Sequence, residues 1–462
     1  MNDFLPWKIL HLDLSQGVTD LAITPDHQGI YLVFWWKTIP LGHREILAAQ
    51  LPMPASQVAN LAVQTITPAV GQHWLNQGFI PGFLENPDKP DPKQAPPQLA
   101  DLIAVEHPLT ELPTRLSPPA QQETISVVIC TRDRPEALAR CLDSLQQLSV
   151  PPEEVLVVDN APRSDVTRQL VAQRPGVRYV LEPQPGLSHA RNTGISHSRG
   201  DIVAFTDDDV TVHPDWLAQL RWGFADPTAL VVTGLVLVSE LESESQWLFE
   251  KYWSFNRGYR CKVFDRAFFE QTRSQGVPVT WIGAGANMAC RRTAFDQLGG
   301  FDQRLGAGAS GCSEDSEFWY RVLASGGSCV YQPTAIVYHA HRADLPSLNR
   351  QINAYMRGYV TASLIQARQH RHWSNLYPLL VNLPKYYLRR LLVGLAIGFG
   401  PADTTLTAEV RGYLSGFGFY LRHCLFNSSQ STTFQSSNSS HPPTSTEPYG
   451  HPVNLASKPR QI

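Results

Sequence analysis

The apolar positions of this chain fall into short runs whose period changes along its length. Gly29 to Trp36 is an apolar run of strand length, and Ser56 to Trp74 repeats at helical spacing. From 124 onward, strand-like and helical patterns alternate. Strand Ile125 to Cys130 is followed by a helix carrying Leu138, Leu142, Leu145 and Leu148 on one stripe. Asp133-Arg134-Pro135-Glu136 has capping-box spacing ahead of that helix. Strand Glu154 to Val158, a helical piece over Val166 to Ala172, strand Val177 to Leu181 and a helix around Leu187 to His197 come next. Ile202 to Thr206 is then a further strand. Such alternation with short connections predicts a mainly parallel sheet covered by helices on both faces. Later strands are expected at Asn287 to Cys290 and Ala335 to Tyr338, and after 345 the pattern is helical to about 425.

Proline clustering and composition shifts divide the chain. Residues 1–80 are expected to form a small α+β accessory domain, and 81–123, rich in proline, an extended linker. Residues 124–344 hold the α/β core, 345–425 a helical extension, and 426–462 a Ser/Thr/Asn/Pro tail expected to be disordered. With 462 residues and 43% hydrophobic content the chain is globular, and a net charge of −3 argues against non-specific nucleic-acid binding. Seven scattered cysteines predict reduced thiols. The start, Met1 to Pro6, carries no signal-like segment, and the run Leu391 to Gly400 is about half of what a spanning helix needs. The expected location is cytoplasmic. The mix of basic and apolar residues from Tyr386 to Leu392 suits either peripheral contact with the inner face of the cell membrane or packing on the core.

The chemistry concentrates where strand Ile202 to Thr206 runs into Asp207-Asp208-Asp209. Three adjacent carboxylates repel unless a cation sits among them, and Mg²⁺ or Mn²⁺ binds through such oxygens together with substrate phosphates. An acidic turn in solvent is the bland alternative. Ligands of open α/β sheets bind beyond the carboxyl ends of the strands, so Thr131 and Arg132, Asp159 and Asn160, and the three acids are expected on one rim.

These stretches together resemble a family-2 glycosyltransferase of GT-A fold. The resemblance rests on Ser126 to Arg132, Val157 to Asn160, Ser188 to Gly194, Phe205 to Asp209, Gly283 to Met288, Gly299 to Asp302 and Ser313 to Asp315, in that order. It implies a hexosyltransferase-like, inverting enzyme that uses a nucleotide-sugar donor and a glycan or lipid-linked acceptor. By the same resemblance Asp159 contacts the nucleotide, and Arg191 holds the nucleotide loop or diphosphate. Asp207 and Asp209 form the metal pair, with Asp209 the principal ligand and Asp207 or Asp208 near ribose or sugar. Asp315 is the general base with Glu314 orienting it, and His339 and His341 are further metal or phosphate contacts. Two rivals are a sugar-nucleotide nucleotidyltransferase and a catalytically inactive scaffold for an envelope-polysaccharide assembly. The segment Thr131 to Pro135 lacks the glycine-rich, lysine-containing loop that the first would need.

Overall fold

The computed structural model describes residues 4–22, 25–75, 109 and 123–425. Apart from Leu109 and Glu123, the linker expected over 81–123 lies outside the described residues, as does the tail over 426–462. The strands are β1 (Trp7–Asp13), β2 (Gly29–Trp36), β3 (Ile39–Leu47), β4 (Ile125–Thr131), β5 (Glu154–Asn160) and β6 (Val177–Glu182). They continue as β7 (Ile202–Asp207), β8 (Val210–Val212), β9 (Ala229–Val238), β10 (Lys262–Phe264), β11 (Asn287–Arg291) and β12 (Ser328–His339).

β1, β2 and β3 form a separate three-stranded sheet backed by the helix Ala55–Leu75. The other strands make a nine-stranded sheet in the order β10-β12-β9-β11-β7-β4-β5-β6, with β8 paired to β12. β7, β4, β5 and β6 are mutually parallel. The near-continuous apolar runs of β7, β4 and β5 follow from burial on both faces, whereas β6 is the edge strand. Val128, Leu156, Val158, Val203 and Phe205 enter one core layer, while Val127, Ile129, Val157, Ile202 and Ala204 enter the other. Each Val, Leu, Ile or Phe among them contributes about 1.5–3 kcal/mol when fully buried.

The other half of the sheet is mixed, and this positions the site. β11 runs antiparallel to β7, with Asn287 opposite Thr206. The segment leading into β11 therefore sits beside the acidic tip of β7. β8 pairs with the end of β12, His339 opposite Val210, which carries His339 to the residues just after that tip.

Two local expectations differ. The helix Pro135–Leu145 is entered from Arg134 without a side-chain cap. Asp133 is left-handed (φ 54°), and its Oδ1 accepts the Arg163 N–H at 2.9 Å, so the capping box does not form. β12 is also longer than the short strand expected, because the polar residues Gln332 and Thr334, which precede the expected run, are buried within it.

The helices Leu345–Gln369, Leu383–Ile397 and Leu406–Tyr420 follow the core. Among the described residues no helix is long and apolar enough to cross a membrane.

Candidate active site

The tips of β4, β5 and β7 lie side by side, with Thr131 opposite Asp159 and Cys130 opposite Asp207. Each of the three consecutive acids has a cationic partner, with Arg134 shared by two of them, which is how they coexist at this density. Asp207 is partly exposed and its Oδ1 lies 3.5 Å from Arg191 Nη2. Asp208 is buried; its Oδ2 accepts from the Thr131 hydroxyl at 2.8 Å and its Oδ1 from Arg134 Nη1 at 3.0 Å. Asp209 presents its two oxygens differently. Oδ2 faces Arg134 Nη1 at 3.1 Å and Arg342 Nη1 at 3.6 Å, whereas Oδ1 faces His339 Nε2 at 3.6 Å.

Burial raises the Asp207 carboxyl to about 6, with Arg191 opposing and its two acidic neighbours adding to the rise. Burial also raises Asp208, against the pull of Arg134. For Asp209 burial works in the same sense, but His339, Arg342 and Arg134 outweigh it and hold the carboxyl below its usual range. Burial pushes His339 itself down to about 4, against the pull of Asp209.

A second group stands beside this rim. The helix Glu314–Ala324 has Glu314 and Asp315 in its first turn. Glu314 is buried and its Oε1 accepts from Arg191 Nη1 at 2.7 Å; burial, opposed by Arg191, raises it to about 7. Asp315 is half-buried; Oδ2 accepts the Gly285 N–H at 2.8 Å and Oδ1 accepts the Ser316 N–H at 2.6 Å. A Cβ at position 285 would stand 2.8 Å from Asp315 Oδ2 and 3.0 Å from Arg191 Nη2, so glycine there leaves both side-chain ends where they are.

Arg191 was expected at the nucleotide loop or diphosphate. It is buried and paired with Glu314 and Asp207, with its guanidinium 5.8 Å from the Phe205 ring centre and 5.5 Å from that of Phe301. It binds the two acidic groups into one network rather than facing open solvent. Asp159 is fully buried, its Oδ2 accepting from the Tyr179 hydroxyl at 3.0 Å while Oδ1 has no partner among the described residues. Arg132 lies at the surface of the rim, its Nε 3.9 Å from Asp133. Several motif residues prove to be braces. Asn160 accepts the Gly186 N–H at 2.8 Å, and Asn192 bonds Phe301 at both its N–H and its carbonyl. Buried Asn287 is satisfied by Trp216, Leu235 and Ala335. The aromatic stretch expected either to wall an acceptor site or to pack does the second at Phe249 and Phe255, which lie against His341 and His339.

Sequence reasoning missed Arg134, Arg342 and Tyr179. Arg134 had a signal, being a cation at the tip of the first core strand; the other two act from distant segments.

The donor set fits a hard divalent cation that substrate phosphates help to hold. Among the described residues no three His, Cys, Asp or Glu side chains already converge on one point. Asp209 Oδ1 and His339 Nε2 face each other at 3.6 Å. Two atoms each about 2.1 Å from a shared ion stand roughly 3–3.5 Å apart when they bind side by side.

An α/β sheet with acids at adjacent strand tips and a carboxylate delivered from a later helix is the GT-A type of core. The model described as glycosyl transferase family 2 matches residues 126–299. A glycosyltransferase of Haloferax volcanii, AglE, is 35% identical over 224 residues, 47% of this chain and 67% of that protein. The chain belongs to glycosyl transferase family 2. A pre-mycofactocin glycosyltransferase of Mycobacterium tuberculosis is 31% identical over 224 residues, 48% of this chain but only 43% of that relative's length. Among solved structures, the mannosyltransferase PcManGT from Pyrobaculum calidifontis, in complex with GDP-Man and Mn²⁺, is 19% identical. The match covers 65% of this chain and 89% of that one at a TM-score of 0.46, a loose likeness.

Proposed function

We propose that this chain transfers a hexosyl group from a nucleotide-sugar donor to an acceptor hydroxyl with inversion, assisted by Mg²⁺ or Mn²⁺. The observation that carries the reading is the Arg191 network, which joins the acidic tip of β7 to the helix turn bearing Asp315. Asp209 and His339 would hold the cation, and Asp207 lies alongside. A bound divalent cation supplies positive charge to the diphosphate and to the charge that grows on it as the glycosidic bond breaks.

The chain's own residues do the rest. Asp159, with one unpaired buried oxygen, suits an N–H or hydroxyl of the nucleotide. Arg132 and Thr131 border the donor. Asp315, oriented by the backbone N–H groups of Gly285 and Ser316, takes the proton of the acceptor hydroxyl as that oxygen attacks the anomeric carbon. Base catalysis of this kind contributes about 10²–10⁴-fold in rate. One displacement from the face opposite the diphosphate inverts the centre. A thermal-shift screen of UDP-, GDP- and dTDP-sugars with and without Mn²⁺ tests this. Stabilisation by one nucleotide class, larger with metal, is expected; indifference to every donor would favour an inactive scaffold.

We infer also that the helix Leu383–Ile397 rests on an anionic membrane surface, close to a lipid-linked acceptor. Leu388, Leu391, Leu392, Val393, Leu395 and Ile397 are all exposed on it, with Lys385 and Arg389 alongside and no acidic residue in the helix. Apolar and basic side chains together favour a position in the headgroup layer.

A further inference from the structure

Behind His339 lies a buried file of polar groups that the reaction does not use. His339 Nδ1 is 3.1 Å from His341 Nδ1, and His341 Nε2 is 3.1 Å from Glu250 Oε2. Glu250 Oε1 accepts from the Tyr31 hydroxyl at 2.9 Å. Tyr31, Glu250, His339 and His341 are all buried, at 1%, 8%, 6% and 6% exposure, so solvent does not decide where the protons sit.

The direction of each hydrogen bond follows from one end. Glu250, as a carboxylate already receiving the Tyr31 hydroxyl, only accepts, so His341 Nε2 must carry the hydrogen. In a neutral His341 ring Nδ1 is then bare and accepts from His339 Nδ1–H. A neutral His339 protonated at Nδ1 has a bare Nε2, and that is the atom facing Asp209 Oδ1 at 3.6 Å. Two lone-pair atoms turned toward one another with no proton between them repel, and a cation between them removes that repulsion. The opposite tautomer would place an N–H on Nε2 and close the gap with a hydrogen bond to Asp209.

Tyr31 belongs to β2 of the N-terminal sheet, and Glu250 to the helix Glu244–Trp253. Other contacts fix the two together. Glu45 of β3 pairs with Lys251 at 2.6 Å, and His43 stacks on Tyr31 with ring centres 4.8 Å apart. The His43 Nδ1 atom also lies 2.9 Å from the Tyr259 hydroxyl.

We propose that Tyr31, Glu250 and His341 are positioning residues that lock the His339 ring with its bare Nε2 toward Asp209, so that the N-terminal sheet helps to build the divalent-cation site. The proposal rests on the metal reading given above and adds to it a role for Tyr31 and His341, which lie outside the family match. Groups that orient a metal-binding histidine are worth about 10–100-fold in metal affinity.

The test titrates the full chain with Mn²⁺ alone and follows free Mn²⁺ by electron paramagnetic resonance. Glu250→Leu should weaken binding tenfold or more and Tyr31→Phe by a few-fold. Glu250→Gln, whose amide oxygen still accepts from His341, should stay near the parent. A folded Glu250→Leu protein that binds Mn²⁺ like the parent overturns the proposal. Should Glu250→Leu fail to fold, the parent's metal-free histidine ¹⁵N spectrum decides, with His339 assigned by its loss in His339→Gln. Protonation at Nδ1 supports the chain of bonds, and protonation at Nε2 refutes it. A parent that binds no Mn²⁺ would instead contradict the metal reading, and the same spectrum would still judge the tautomer.

Discussion

Arg191 Nη1 and Glu314 Oε1 meet at 2.7 Å with both side chains buried, 123 residues apart in the chain. Through that contact the helix after β6 holds the turn that bears Asp315, and its other nitrogen reaches Asp207 at 3.5 Å. One guanidinium thus sets the distance between the strand-tip acids and the proposed base. Its removal would leave buried Glu314 and partly exposed Asp207 without their cation. Arg191→Met should cost about 3–5 kcal/mol of stability, the usual cost of breaking a buried pair from one side. Denaturant unfolding measures this, and a loss under 1 kcal/mol would show that the pair is not a structural tie.

Gly285 makes a narrower prediction. A methyl group there strikes Asp315 Oδ2 and the Arg191 guanidinium before any backbone. Gly285→Ala should therefore lower turnover tenfold or more while donor affinity changes little and stability falls by only about 1–3 kcal/mol. Parent-like turnover would mean that the position of Asp315 on this loop is unimportant.

Much of this arrangement was legible in the sequence, for a physical reason. Strands buried on both faces are written as continuous apolar runs, and in an open α/β sheet polar residues at their ends share one rim. Asp159, Thr131 and the three acids were placed there on that ground alone. What escaped notice is what depends on distant partners. Nothing near Arg191 says that its charge is met by Glu314, and nothing near Tyr31 points to Glu250, 219 residues away. The capping box at Asp133 failed because spacing does not reveal backbone handedness; a left-handed residue turned that carboxylate toward Arg163.

The exposed face of the helix Leu383–Ile397 gives a prediction independent of catalysis. Leu391→Ser, Leu395→Ser and Ile397→Ser combined should sharply reduce co-sedimentation with vesicles containing phosphatidylglycerol. Their exposures of 45%, 70% and 83% mean little packing is lost, so the melting temperature should hold. Undiminished vesicle binding would remove this helix from any membrane contact.

Asp209 sits between two arginines and the His339 ring, and the cation reading makes it the chain's main oxygen ligand. Asp209→Ala should abolish the gain in donor affinity that Mn²⁺ confers, a gain calorimetry would measure in the parent. An identical gain in the variant would place the metal elsewhere.

The most direct measurement is the release of nucleoside diphosphate during transfer to acceptor, followed in the parent and in Asp315→Asn at matched donor occupancy. The account predicts that the variant binds donor with nearly the parent's affinity but turns over at least a hundredfold more slowly. An Asp315→Asn enzyme that transfers sugar at the parent's rate would contradict it.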